Sequence, residues 1–280
     1  MIPLRKQLRE LHLRPKKKLG QHFVVDPRVL GKMVECAALK GEDVVLEIGA
    51  GLGALTAPLA QRAGKVYALE VDPRLASALG ERFSKSGPVE VVLADALQFD
   101  FSPLSQEWKR KMKVIANLPY EISSPMIFRL LQERERFSLL ILMLQVEMAR
   151  RVVAHPGTKD YGPLSLWCQL YTKAHIAFSV PPRAFHPRPR VDSAVVKFEV
   201  LEKPSLIVED ERALQRVIRS AFGYRRKTLA NAMQLGEYSH LPMEKIQEAL
   251  QSAGIDPGLR GEVLSLEQFR DLGRAFSALG

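Results

Sequence analysis

Short, almost wholly apolar runs take turns with helix-period segments from residue 27 to about 200, and this alternation most constrains the fold. "DVVLEI" (43–48), "KVYALEV" (65–71), "VEVVLA" (89–94), "MKVIAN" (112–117) and "SLLILMLQ" (138–145) read as strands. Strands that are apolar on both faces must be covered on both faces, which requires a largely parallel sheet sandwiched by helices. The intervening segments supply those helices. "DPRVLGKMVECAAL" opens with Asp26 as N-cap and Pro27 in the first turn, and "DPRLASALGERF", "SSPMIFRLLQER" and "VEMARRVVA" repeat apolar residues at helical spacing. Residues 96–111 read as a linking stretch. The expected architecture is α/β, a doubly wound sheet.

Beyond residue 160 the pattern changes. "LWCQLYTKAHIAFSV" and "SAVVKFEVL" read as two late strands joined by the proline-rich, rigid "PPRAFHPRPRVD". From 206 four helical segments follow. The division expected is a basic segment over 1–25, an α/β domain over 26–205 and a small all-α domain over 206–280.

Composition narrows the partners. With 41 Lys and Arg against 31 Asp and Glu, the formal charge is +10, which attracts polyanions and makes nucleic acid the first partner to test. Two cysteines, Cys36 and Cys168, lie far apart, and the six histidines show no paired ligand spacing, so no metal and no disulfide framework are expected. The longest apolar run, "LLILML" (139–144), falls well short of the ~20 residues of a membrane helix. The amino-terminal basic stretch lacks the apolar centre of a secretory signal. A mitochondrial presequence is the lesser reading, because Ser and Thr are absent from it, and a cytoplasmic protein is expected.

"LEIGAGLGALT" places Gly49, Gly51 and Gly53 between a strand and a helix, where ligands of open α/β sheets bind. This turn also satisfies the dinucleotide fingerprint, so an NAD-dependent dehydrogenase stands as one reading. Three successive strand ends favour another. Glu70 suits the two hydroxyls of a ribose, Asp95 an exocyclic adenine amine, and Asn117 continues the same crevice. No Lys or Arg near the glycines serves a pyrophosphate. The set suits S-adenosylmethionine, which carries adenosine and a sulfonium and no phosphate.

Taken together, "KKLGQHFVVD", "EIGAGLGALT", "LEVD", "ADAL", "NLPYEIS", "FHPRPRVDSAVV" and "RRKTLANAM" resemble the ribosomal RNA adenine N6,N6-dimethyltransferase family over residues 16–280. The resemblance implies a Class I methyltransferase fold with a helical carboxyl-terminal domain. It implies transfer of methyl groups from S-adenosyl-L-methionine to two adjacent adenosines near the 3′ end of small-subunit rRNA, within a pre-ribosomal particle and by a monomer. Residue by residue, Asn117, Leu118, Pro119 and Tyr120 form the catalytic tetrad. In this reading the Asn117 side-chain oxygen and the Pro119 carbonyl accept the two N–H bonds of the target amine, and Tyr120 stacks on the extruded base. Phe185 is expected as a second aromatic wall. The segment 1–25, through "GQHFVVD", is expected to lie over the cofactor site, with His22 and Val24 contacting the methionine end or ribose by side-chain and backbone atoms, and with His22 and Glu121 standing where the family more often has Asn. Arg225, Arg226 and Lys227, with Arg183, Arg188 and Arg190, are the expected phosphate contacts. Two rivals remain: a large-subunit rRNA adenine methyltransferase, disfavoured by Leu118 and "VDSA", and a non-catalytic RNA-binding assembly or transcription factor on the same fold.

Overall fold

The computed structural model describes residues 20–83 and 87–279. The described residues divide into two compact units, one ending at residue 149 and resuming over 173–202, the other holding residues 150–172 and those from 203 onward.

The first unit is built on one sheet. Its strands are β2 (Val44–Ile48), β3 (Lys65–Glu70), β4 (Val89–Leu93), β5 (Met112–Asn117), β6 (Phe137–Gln145), β7 (Thr172–Val180) and β9 (Ser193–Val200), in the spatial order β4-β3-β2-β5-β6-β9-β7. The pairs among β4, β3, β2, β5 and β6 are parallel, and β9 runs antiparallel to β6. All five residues of β2 are buried, which is why its sequence shows no polar alternation. The chain steps outward from β2 to β3 and β4, then returns to β5 on the other side of β2. That reversal opens a crevice beyond the carboxyl ends of β2 and β5.

Helices α1 (Pro27–Cys36), α2 (Thr56–Ala60), α3 (Pro73–Phe83), α4 (Ser102–Trp108), α5 (Ser123–Gln132) and α6 (Val146–Val152) follow in order between the strands. Asp26 caps α1 by accepting from the Arg28 amide at 3.0 Å, a contact worth about 1 kcal/mol. Leu30, Met33 and Val34 of α1 and Leu59 of α2 share a core with Val45, Ile115, Ile141 and Val195 of the sheet. A two-stranded antiparallel ribbon, β1 (Phe23–Val24) with β8 (Phe185–His186), lies outside the main sheet.

Two sequence expectations are corrected here. The stretch 96–111 contains α4, which is seven residues long and buries only Leu104, too little to show a period. It is tied to β3 through side chains: Tyr67 donates to Glu107 at 2.6 Å and the Trp108 indole donates to the Tyr67 hydroxyl at 2.8 Å. The run "LWCQLY" belongs to a helix, α7 (Pro163–Tyr171), and the strand begins only at Thr172.

The second unit holds α7, α8 (Glu211–Gly223), α9 (Leu229–Leu235), α10 (Met243–Ser252) and α11 (Leu266–Ser277). Residues 150–172 therefore group with the carboxyl-terminal helices and not with the α/β unit, contrary to the expected boundary at 205/206. Buried Tyr161 shows the reason: its hydroxyl donates to the Leu264 carbonyl at 2.9 Å, and its ring meets Phe222 edge-on at 6.0 Å. Asp210 caps α8, and Ser265 with Gln268 forms a capping box on α11. Most of the basic segment expected over 1–25 lies outside the described residues.

Candidate active site

The glycine turn after β2 is shaped by what surrounds it. Gly51 has φ +57°, and a Cβ there would stand 3.0 Å from the Phe23 ring. At Gly53, φ +78°, it would stand 2.6 Å from Leu79. Both positions need a left-handed backbone and lack room for a side chain. The turn is held by its backbone, since the Gly49 and Ala50 amides donate to the Leu69 carbonyl at 2.9 and 3.0 Å.

Glu70 ends β3 and is 5% exposed. One carboxylate oxygen accepts from the Gly51 amide at 2.8 Å and the other from the Asp72 amide at 2.9 Å. A carboxylate offers about four acceptor positions, so Glu70 retains capacity for a ligand hydroxyl beside its backbone donors. Burial pushes this carboxyl above its usual range, opposed by the backbone donors of Asp72 and Gly51.

Glu47, within β2, is 2% exposed and accepts from the Thr56 hydroxyl at 2.6 Å. Burial pushes its carboxyl from 4.5 up to about 8, with the Thr56 hydrogen bond opposing and the Glu70 charge adding to the rise. The folded chain thus holds a proton that the unfolded chain releases near pH 4.5, so Glu47's contribution is intact below that pH and is lost as pH rises toward about 8. Thermal melts should show wild-type stability falling more steeply across this window than that of Glu47→Gln. Parallel profiles would contradict the assignment.

Asn117 ends β5, beside β2 at the crevice. Its Nδ2 donates to the His22 carbonyl at 2.8 Å, which fixes the amide and leaves Oδ1 as the end for a ligand. His22 in turn meets the Pro187 carbonyl through Nδ1 at 2.8 Å, so in the neutral ring the proton sits on Nδ1 and Nε2 is the acceptor. The His22 and Tyr120 rings stack with centroids 5.4 Å apart, and the Tyr120 hydroxyl is held 2.8 Å from Ser193 Oγ.

The Pro119 carbonyl differs from expectation. It already accepts from the Ile122 amide at 3.2 Å and the Ser123 hydroxyl at 3.1 Å, so both of its lone pairs have protein donors. The Leu118 carbonyl receives no hydrogen bond among the described residues, although Leu118 is 1% exposed and lines the crevice.

Two adjoining cavities result. One, of about 70 Å³, is lined by Gly49, Gly51, Glu70, Val71 and Asn117, among others. The other, of about 560 Å³, is lined by Glu121, Gln145, Arg188 and Arg190, among others. Gly20, Gln21, His22 and Tyr120 border both. Among the described residues no Lys or Arg lines the smaller one, a lining that suits a ligand with a ribose and a positive charge better than a pyrophosphate.

The ribosomal RNA adenine dimethylase family matches residues 12–276. The chain belongs to this family. It is 45% identical over 269 residues to the ribosomal RNA small subunit methyltransferase A of Geobacter metallireducens, covering 96% of this chain and 98% of that protein. To the protein of the same name from Pelotomaculum thermopropionicum it is 43% identical, covering 99% and 96%. Among solved structures, a dimethyladenosine transferase from Plasmodium falciparum superposes with a TM-score of 0.78 at 29% identity, over 91% of this chain and 98% of that one. The 23S rRNA methyltransferase ErmE gives 0.67 at 27% identity, over 91% and 99%. The fold is that of the Class I rRNA methyltransferases.

Several residues singled out in this dimethylase sequence sit elsewhere than expected. The Val24 side chain is buried in the core, which leaves only its backbone for the expected contact, and its neighbour Phe23 borders the smaller crevice, because alternate residues of β1 face opposite ways. Phe185 pairs with Val24 in the ribbon and is 4% exposed in the same core, so it is no second wall here; the ring stacked on Tyr120 is His22. Asp95 lies two residues past β4, exposed and outside the smaller cavity, accepting from the Leu97 amide at 2.9 Å and the Gln98 side chain at 3.4 Å. Arg129 of α5 steadies this loop by donating to the Ala96 and Phe99 carbonyls. Among the expected phosphate contacts, Arg225 is engaged within its own unit, paired with Glu262 at 3.0 Å and donating to the Lys159 and Tyr161 carbonyls. Arg226 and Lys227 are exposed, as are Arg183, Arg188 and Arg190. Gly20 and Gln21 line the cavities within the "GQHFVVD" segment already singled out, whereas Val71 and Gln145 were not picked out; of these two, Val71, an apolar residue directly after Glu70, had a readable signal.

No helix among the described residues is long and apolar enough to cross a membrane.

Proposed function

We propose that this dimethylase transfers methyl groups from S-adenosylmethionine to N6 of two adjacent adenosines near the 3′ end of small-subunit rRNA, giving N6,N6-dimethyladenosine. The observation that carries the reading is the Asn117 amide, which lines the smaller cavity and is oriented by the carbonyl of His22, a residue that borders both cavities. Identity of 43–45% to proteins named for the small subunit, against 27% to the 23S enzyme, supports the choice of RNA.

Bound in the crevice, S-adenosylmethionine supplies a methyl group made electrophilic by its sulfonium. Glu70 accepts from the ribose hydroxyls, and Val71, 46% exposed, offers an apolar face to the adenine. The exocyclic amine of the target is a weak nucleophile because its lone pair is delocalised into the ring. Asn117 Oδ1 and the Leu118 carbonyl, in place of Pro119, accept its two N–H bonds and turn the lone pair toward the methyl. Positioning of this kind lowers the barrier by several kcal/mol. Transfer would exchange the S–CH3 bond for an N–CH3 bond and release one amine proton to water; in the second round the monomethylated amine has a single N–H for these oxygens to accept, and it gives up that proton in turn. Tyr120 presents a face for the extruded base, worth roughly 1–3 kcal/mol.

The RNA is proposed to be met as a pre-ribosomal particle in the cytoplasm by a monomer. The helical unit with Arg226 and Lys227, and the loop with Arg188 and Arg190, would track phosphates. Replacing Arg188 and Arg190 together by Ala should lower the slope of log affinity against log salt by roughly 1.5, as two lost phosphate contacts require. Filter binding over a salt series checks this, and an unchanged slope would remove the loop from the interface.

The function is tested with labelled S-adenosylmethionine offered to small-subunit particles lacking the modification and to large-subunit RNA. Label confined to the small-subunit RNA is expected. Label in the large-subunit RNA alone would favour the rival enzyme, and neither label nor cofactor binding would favour the non-catalytic reading.

A further inference from the structure

The larger cavity contains a polar side chain that the mechanism above leaves unused. Gln145 ends β6, an otherwise apolar strand apart from Ser138. It lies one strand over from Asn117, two residues beyond Asn117's partner Met143. Across the sheet it is opposite Ser193, whose hydroxyl holds Tyr120. Gln145 is half-buried and lines the 560 Å³ cavity with Tyr120 and His22, and no hydrogen bond reaches its carboxamide among the described residues. A partly desolvated amide without a partner carries a free-energy cost that a polar ligand removes.

We infer that Gln145 reads the target adenine by donating from Nε2 to its ring nitrogen N7. This rests on the proposed function and deepens it. The cavity's size suits a nucleotide. A glutamine carboxamide matches the edge of adenine that carries N6 and N7. With both N6 protons held by Asn117 and Leu118, only the ring acceptors remain for Gln145. A donor at N1 would draw the amine's lone pair further into the ring and blunt the nucleophile. N3 lies on the sugar side. N7 flanks N6 on its other side, and holding it fixes the base in its plane while leaving N1 unloaded.

The test pairs protein variants with a single-atom change in the RNA. Small-subunit particles are rebuilt with 7-deazaadenosine at the target positions, which keeps the amine and replaces N7 by C–H. Wild-type kcat/KM should fall about tenfold on this RNA, the loss expected for one hydrogen bond. Gln145→Leu and Gln145→Glu, neither able to donate, should fall about tenfold on natural RNA and no further on the 7-deaza RNA. Unchanged S-adenosylmethionine binding by calorimetry shows that the variants are folded. Penalties that multiply, full activity of Gln145→Glu, or the same coupling to 1-deazaadenosine instead would overturn the inference. Wild-type transfer without the coupling sinks only the role of Gln145, whereas absence of any wild-type transfer sinks the proposed function itself.

Discussion

Asn117→Ala should bind S-adenosylmethionine nearly as wild type does and lose methyl transfer by about 100- to 1,000-fold, the scale seen when one preorganised polar group is removed from a reacting centre. The loss should appear in kcat, because the amide oxygen acts on the amine as it approaches the methyl. Asn117 also donates to the His22 carbonyl, so truncation loosens the segment that borders both cavities. Asn117→Asp separates the two effects, since it keeps an acceptor and loses that donor. Single-turnover rates and calorimetry on both variants give the answer. Equal turnover in Asn117→Ala would refute the positioning role.

Glu70→Ala should weaken cofactor binding by at least about 100-fold, because two hydrogen bonds from ribose hydroxyls to a buried carboxylate disappear together. It should also destabilise the fold, since the Gly51 and Asp72 amides lose their acceptor. Leaving a buried donor unmade costs about 1–3 kcal/mol each. Glu70→Gln, with one acceptor oxygen, should fall between wild type and Ala in both affinity and melting temperature. Unaltered affinity in the Ala variant would place the ribose elsewhere.

The placement of these two residues at strand ends was legible in the sequence because each ends a buried strand. A parallel strand covered on both faces tolerates almost no polar residue, so Glu70 and Asn117 stand out where "KVYALE" and "MKVIAN" stop. The same contrast made the parallel strands readable. It fails where an element is short or wholly buried. The two-residue β1–β8 ribbon has no period to detect, and the register that sends Phe23 to the crevice and Val24 to the core exists only in the pairing with Phe185 and His186. The run "LWCQLYTKAHIAFSV" is apolar through the junction of α7 and β7, so composition cannot divide it. Side-chain partnerships far apart in sequence were equally hidden. Arg225 reads as one of three adjacent cations, yet Glu262 and the carbonyls of residues 159 and 161 hold it. The hydrogen bonds that occupy Pro119's carbonyl arise from the turn that follows it, which is why the proposed mechanism takes Leu118 as the second acceptor.

A crystal structure of the protein with S-adenosylhomocysteine and a short RNA carrying an extruded adenosine measures the grip on the amine directly. The account predicts N6 within about 3 Å of both Asn117 Oδ1 and the Leu118 carbonyl, with the base against Tyr120. An N6 that meets neither oxygen, or a base lodged away from the junction of the two cavities, would contradict it.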